Sequence, residues 1–129
     1  MLLIQHYAKR SKIHGIGLFA KEKIPAGTVV WKYDPNFDVE IPLWFANMLP
    51  EPYFSVLKEN AEFIEERGVF ILGNDGDIFM NHSNDPNLVD HGTYMVAAKD
   101  INEDDEITCD YRLVKVLSYD LQSGGEDED

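Results

Sequence analysis

Three short stretches of this 129-residue chain carry side chains suited to chemistry. Phe79-Met80-Asn81-His82-Ser83-Asn84-Asp85-Pro86-Asn87 sets an amide, an imidazole and a hydroxyl side by side after an apolar pair. Asp105-Glu106-Ile107-Thr108-Cys109-Asp110-Tyr111 ends a strand-like run on a phenol. Upstream lies Gly15-Ile16-Gly17-Leu18-Phe19-Ala20, where residues without a Cβ let the backbone approach a ligand closely. Taken singly, each stretch has an ordinary explanation: a turn with packing glycines, a cap at Asn81, a structural histidine at His82, a strand aromatic at Tyr111. His6, His14, His82, His91 and Cys109 show no local spacing for a metal, and no metal site is expected. Cys109 has no histidine beside it in sequence to make it a nucleophile.

Short strands and turns must position these residues. The apolar start Met1–His6 reads as a first strand, since it is too short for a signal sequence and Lys9 and Arg10 follow it. Ile13 to Ala20 and Thr28 to Trp31 read as further strands around a turn at Ile24-Pro25-Ala26-Gly27, with a loop at 34–40. In the middle, Pro42 to Met48 predicts a short helix that stops before Pro50. A second helix is expected from Pro52, burying Phe54, Leu57, Ala61 and Ile64, wetting Glu59, Glu62, Glu65 and Glu66, and stopping at Gly68. Val69 to Leu72 reads as a buried strand, and Gly73-Asn74-Asp75-Gly76-Asp77 as a hairpin turn. The latter lacks the frame of a calcium loop. Strands follow at Tyr94–Ala98 and Glu106–Asp110, then an amphipathic closing helix at Leu113–Leu121. The fold class is α+β and mostly β. One domain over 1–121 is expected, with a helical insert at about 41–67 and a disordered acidic tail at 122–129.

Composition narrows the partners. The net charge of −13 argues against nucleic acid, whose phosphates need cations. It suits a basic protein or peptide. The charge is also polarised. Residues 1–32 hold six basic side chains and one acid, whereas residues 100–129 hold eleven acids and two basic residues. No apolar run reaches the ~18 residues that span a bilayer, so no membrane partner is expected. A single cysteine excludes an internal disulfide and fits an intracellular protein.

In order and rough spacing, the three stretches resemble the signatures of the SET domain, the fold of most protein lysine methyltransferases. The resemblance runs over about residues 10–112. It implies short curved sheets of β-clip type, with the last signature threaded beneath a loop so that Asn81-His82 and Tyr111 meet. It also implies S-adenosylmethionine as cofactor, held by Ile16, Gly17, Asn81 and His82, with Tyr111 catalytic. The task would be to bring a neutral lysine amine to the cofactor's methyl group. At pH 8, neutralising a free lysine costs about 3 kcal/mol. An apolar channel lowers that cost by desolvating the ammonium.

The chain departs from the family at several points. Cys109 stands where many members have Tyr or Phe, at a position that helps set how many methyl groups fit. The cysteine-rich segment that often follows the domain is missing, and Leu117 and Tyr119 are the substitutes expected to pack over the lysine channel. Tyr33 is a further candidate for its lining. The length resembles that of minimal stand-alone viral and bacterial SET proteins. Such a protein would be cytoplasmic, or nuclear in a host cell if viral or an effector. A homodimer is one way for so small a domain to complete a peptide groove. The expected substrate is a lysine in a basic, for example histone-like, segment. Glu103, Asp104, Asp105 and Glu106 are the acids expected to attract it. The alternative is a catalytically silent module of the same fold that binds basic tails.

Overall fold

A computed structural model describes residues 1–114. Leu117, Tyr119, most of the expected closing helix and the acidic tail 122–129 lie outside the described residues.

Alternating apolar residues first build an antiparallel hairpin, β1 (His6–Arg10) on β2 (Ile16–Ala20), in register from His6 opposite Ala20 to Arg10 opposite Ile16. Leu18 and Ala20 have no exposed surface. The next strand, β3 (Val29–Lys32), touches residues 1–3 through one bridge and finds its strand partner, Tyr94–Ala97, later in the chain. The segment after it supplies β4 (Val39–Pro42), then two short helices, α1 (Leu43–Ala46) and α2 (Tyr53–Asn60). Two strands follow, β5 (Glu62–Ile64) and β6 (Val69–Leu72), giving a sheet of order β4-β6-β5. A 3-10 turn at Gly76–Phe79 leads into β7 (Asn81–His82). The strands β8 (Leu88–Asp90) and β9 (Tyr94–Ala97) close a second three-stranded sheet, β3-β9-β8. Last come β10 (Thr108–Cys109), which lies parallel to β7, and α3 (Tyr111–Val114). The result is α+β and mostly β, in four small sheets.

One apolar cluster gathers Leu18, Val30, Trp31, Ile71, Met80, Ile107 and Cys109 beneath β7 and β10. A second, with Leu57, Phe63 and Phe70, lies under the helical insert. Fully burying a side chain such as Phe70 contributes about 1.5–3 kcal/mol. No helix among the described residues is long and apolar enough to cross a membrane.

Several elements differ from the sequence expectation. The first strand begins at His6, because Leu2 makes only an isolated bridge to Trp31. Val39 and Glu40, expected in a loop, belong to β4. The second helix ends at Asn60 and not at Gly68, and Ala61 is already extended. Helical periodicity there loses to tertiary pairing. Glu62–Ile64 lies along β6, and the Phe63 ring packs on Phe70 at 4.9 Å. Glu62, expected on the wet side, is therefore buried. The turn after Leu72 does not make a hairpin, since both neighbours of β6 come from earlier in the chain. Asp75 instead caps the 3-10 turn, accepting from the Asp77 N–H at 3.2 Å and from the Leu2 N–H at 2.9 Å.

This turn carries a buried acid into the core. The Asp77 Oδ2 accepts from the Trp31 Nε1–H at 2.8 Å, while its Oδ1 is buried without a hydrogen bond. A Cβ on Gly73 would collide with this carboxylate, so only glycine fits there. Burial, followed by the charge of Asp75, pushes the Asp77 carboxyl up to about 7. Its folded pKa thus lies above the unfolded one, and the native state holds the proton more tightly. The contribution to stability is greatest below about pH 4 and is lost as pH rises toward about 7. Asp77→Asn keeps an acceptor for Trp31 and removes the charge. Thermal unfolding at two pH values should show the variant more stable than the parent at pH 8 by on the order of 1–2 kcal/mol, and equal to it near pH 4.

Candidate active site

The parallel pairing of β7 with β10 sets Asn81 opposite Thr108 and His82 opposite Cys109. Ser83 N–H extends the contact to the Cys109 carbonyl at 3.0 Å. Asn87 clamps the other end. Its amide donates to the Glu106 carbonyl at 2.8 Å, and its oxygen accepts from the Thr108 N–H at 2.8 Å. Two distant segments are thereby locked together, with the asparagine of one beside the tyrosine of the other.

Asn81 is buried, and its amide nitrogen ties down the glycine turn. It donates to the His14 carbonyl at 3.0 Å, to the Ile16 carbonyl at 3.4 Å and to Glu106 Oε2 at 2.9 Å. Glu106 also accepts from Ser11 Oγ at 2.8 Å, and Ser11 Oγ accepts in turn from the Ile13 N–H at 2.8 Å. This carboxylate lies directly against Gly17, where any Cβ would strike it. Gly17 leaves room for this half-buried carboxylate. The amide oxygen of Asn81 accepts no hydrogen bond among the described residues.

Tyr111 opens α3 immediately after β10. Its hydroxyl donates to the Met80 carbonyl at 2.8 Å, so the phenol points at the residue before Asn81. Its backbone N–H donates to His82 Nδ1 at 3.0 Å. Burial, with smaller effects from Cys109 and Glu106, pushes the phenol up to about 12. The hydroxyl is therefore a neutral donor throughout the ordinary pH range.

Two hollows flank this junction. The larger, about 660 Å³, is walled by His14, Gly15, Ile16, Phe79, Asn81 and Tyr111 among others. The smaller, about 40 Å³, lies behind Cys109 and Met80 against Trp31, Met95 and Asp77. Its volume is enough for about three waters. Asn60 belongs to the walls of both. Next to the inner hollow, and sharing Glu62 with it, is a surface basin bordered by Glu65, Glu66, Asp90, His91 and Arg112.

Of the residues read from the sequence, Ile16, Asn81 and Tyr111 come together around the larger hollow, Cys109 lines the smaller, and Gly17 lies against Glu106 without lining either. The His82 ring is engaged elsewhere, with Nδ1 on Tyr111 and Nε2 on Asn84 Oδ1 at 2.9 Å. That leaves only its backbone for a ligand. Tyr33 lines neither hollow. β3 ends at Lys32, and the Tyr33 hydroxyl donates to Glu40 at 2.9 Å. Trp31, two residues earlier, lines the inner hollow instead. The acids Glu103 to Glu106 are largely committed to the protein. Asp104 accepts from the Tyr7 hydroxyl at 2.7 Å, Asp105 caps the Asn102 N–H at 2.9 Å, and the half-buried Glu106 accepts from Ser11 and Asn81. The organising roles of Glu106, Ser11 and Asn87 escaped sequence reading. Nothing in the acidic run marks Glu106 as the one that turns inward.

Three comparisons bear on this geometry. A candidate histone methyltransferase of Plasmodium falciparum has a similar structure at 22% identity and a TM-score of 0.61, over 85% of this chain and 95% of that one. A humanized mutant of the Chaetomium thermophilum Polycomb Repressive Complex 2, bound to the inhibitor GSK126, is similar at 20% identity and a TM-score of 0.67. Here 90% of this chain is matched, but only 16% of the larger one. At these identities the likeness is one of fold. A comparison with curated proteins finds no match. The family model for the SET domain matches residues 15–112, which takes in the glycine turn, both ends of the β7–β10 pairing and Tyr111. The chain belongs to the SET-domain family.

Proposed function

We propose that this chain is an S-adenosylmethionine-dependent protein-lysine N-methyltransferase acting on a basic segment. The observation that carries the reading is the Tyr111 hydroxyl, held on the Met80 carbonyl at the wall of a hollow that also presents Ile16 and Asn81. A hollow of about 660 Å³ falls in the range that takes a nucleoside-sized ligand. Its residues fit such a group. Ile16, Ile78 and Phe79 offer apolar surface, and the Asn81 amide oxygen and the backbone of the glycine turn offer polar contacts. When bound, the cofactor supplies an electrophilic methyl group on a sulfonium.

The chain's own residues then have defined tasks. Tyr111 orients the amine: the one proton of its neutral phenol goes to the Met80 carbonyl, so its oxygen accepts from an amine N–H and leaves the amine lone pair free for the methyl group. Met80, Trp31 and Met95 desolvate the neighbouring inner hollow, which favours a neutral amine. Cys109 leaves room there that an aromatic side chain would fill. The acidic basin with Glu65, Glu66 and Asp90 borders that hollow and suits the flanking cations of a basic segment. A histone-like tail meets these requirements.

The reading is tested by transfer of labelled methyl groups to basic peptides or a cell extract. Tyr111→Phe should lower kcat by about 10²-fold or more while cofactor affinity by calorimetry stays within a few-fold. Activity of the parent should rise with pH as the substrate amine loses its proton, with no alkaline fall from Tyr111 below about 12. Transfer that survives in the phenylalanine variant would sink the role given to the hydroxyl. Gly17→Ala displaces Glu106 and the turn above it, and calorimetry should show cofactor binding at least about tenfold weaker. Intact-mass analysis after exhaustive turnover should show higher methylation states for the parent and a shift toward monomethyl product for Cys109→Tyr. Monomethyl product alone from the parent would refute the roomy pocket.

A further inference from the structure

The hydrogen bonds around His82 define its protonation state. A backbone N–H is always a donor, so the Nδ1 that receives Tyr111 N–H at 3.0 Å carries a bare lone pair. The ring proton then sits on Nε2, which donates to Asn84 Oδ1 at 2.9 Å. Tyr111 N–H is at the start of α3, where helical N–H groups have no partner of their own. The imidazole supplies that partner, and its ring lies 5.5 Å from the phenol it helps to place.

A second arrangement of the same groups is poised beside the first. Asp110 Oδ1 lies 3.8 Å from His82 Nδ1. Adding a proton to Nδ1 would point an N–H at the Tyr111 N–H and at the same time create an attraction to the carboxylate. The groups facing the ring are Asp110 and Tyr111 from the segment after β10, Cys109 from β10 itself and Asn84 from its own loop. Arg112 grips both oxygens of the Asp110 carboxylate, with Nε on the same Oδ1 at 2.9 Å and Nη2 on Oδ2 at 2.7 Å, and thereby tempers its pull on the ring.

We propose that His82 is a positioning residue for Tyr111: the neutral ring holds the tyrosine's backbone in the working place, and the protonated ring lets go and turns to Asp110. This rests on the reading of Tyr111 as catalytic. It adds an acid-side switch, distinct from deprotonation of the substrate lysine. No contact of the His82 side chain with cofactor is required.

The test uses the full chain, labelled with nitrogen-15, and two variants. Ring-nitrogen spectra at pH 8 should show His82 protonated at Nε2 and bare at Nδ1, and the Tyr111 amide signal should move with the His82 titration. His82→Leu should lower kcat by about tenfold or more with cofactor affinity within about twofold. His82→Asn, which keeps an acceptor at the δ position but cannot titrate, should restore most of kcat and remove the histidine limb from the acid side of the pH profile. A ring protonated at Nδ1 at pH 8, or a Tyr111 amide indifferent to the titration, would overturn the proposal whether or not the chain transfers methyl groups. Unchanged kcat in the leucine variant would overturn it as well. If that variant does not fold, the spectra and the asparagine variant decide. A parent chain with no transferase activity but with the expected spectra would defeat the enzyme reading and leave the His82–Tyr111 coupling standing.

Discussion

Four residues of parallel strand, Asn81-His82 against Thr108-Cys109, hold everything else at the site in place. So short a ladder has little strength of its own, and side chains reinforce it at each end. Asn87 spans Glu106 and Thr108 on one flank. On the other, the Tyr111 hydroxyl and amide reach back to Met80 and His82. The apolar floor beneath, from Met80, Ile107 and Cys109, excludes water from the junction. Each polar contact there is therefore worth more than it would be at the surface.

Charge is distributed with the same economy. The exposed hairpin at the start of the chain carries Lys9, Arg10 and Lys12, and the acids of the last turn lie beside it. Sequence polarity thus becomes local neutralisation on that face. A second group of acids, Glu65, Glu66 and Asp90, borders the surface basin beside the inner hollow, together with His91 and Arg112. Burial pushes the Asp90 carboxyl up to about 6, so part of this basin gains its charge only toward neutral pH. The side that would meet a basic segment is also the side next to Cys109.

Much of this was legible in the residues. The three motifs and the strand-rich class followed from type and spacing, and the meeting of Asn81 with Tyr111 from what the family resemblance implies. What was not legible depended on partners far away in sequence. Glu62 has the periodicity of a wet helical position, yet it pairs with Ile71 in a strand. Tyr33 has the right neighbourhood in sequence but is drawn to Glu40. Glu106 is one acid in a run of four, and only the empty space above Gly17 turns it inward. Both ring nitrogens of His82 serve the protein, on Tyr111 and Asn84, which its place in the motif did not reveal. Local propensity cannot report such captures, because the capturing group is chosen by topology.

The separation of β7 from β10 along the chain has one more consequence. The β1–β2 hairpin closes locally, whereas the ladder bearing the site joins segments with two whole strands and their turns between them. Closing that span costs chain entropy before any contact repays it. The junction of Asn81 with Tyr111 therefore cannot form from local structure alone. A chain that kept the β1–β2 hairpin and its short helices but lost this ladder would have its secondary structure largely intact and its candidate site dismantled.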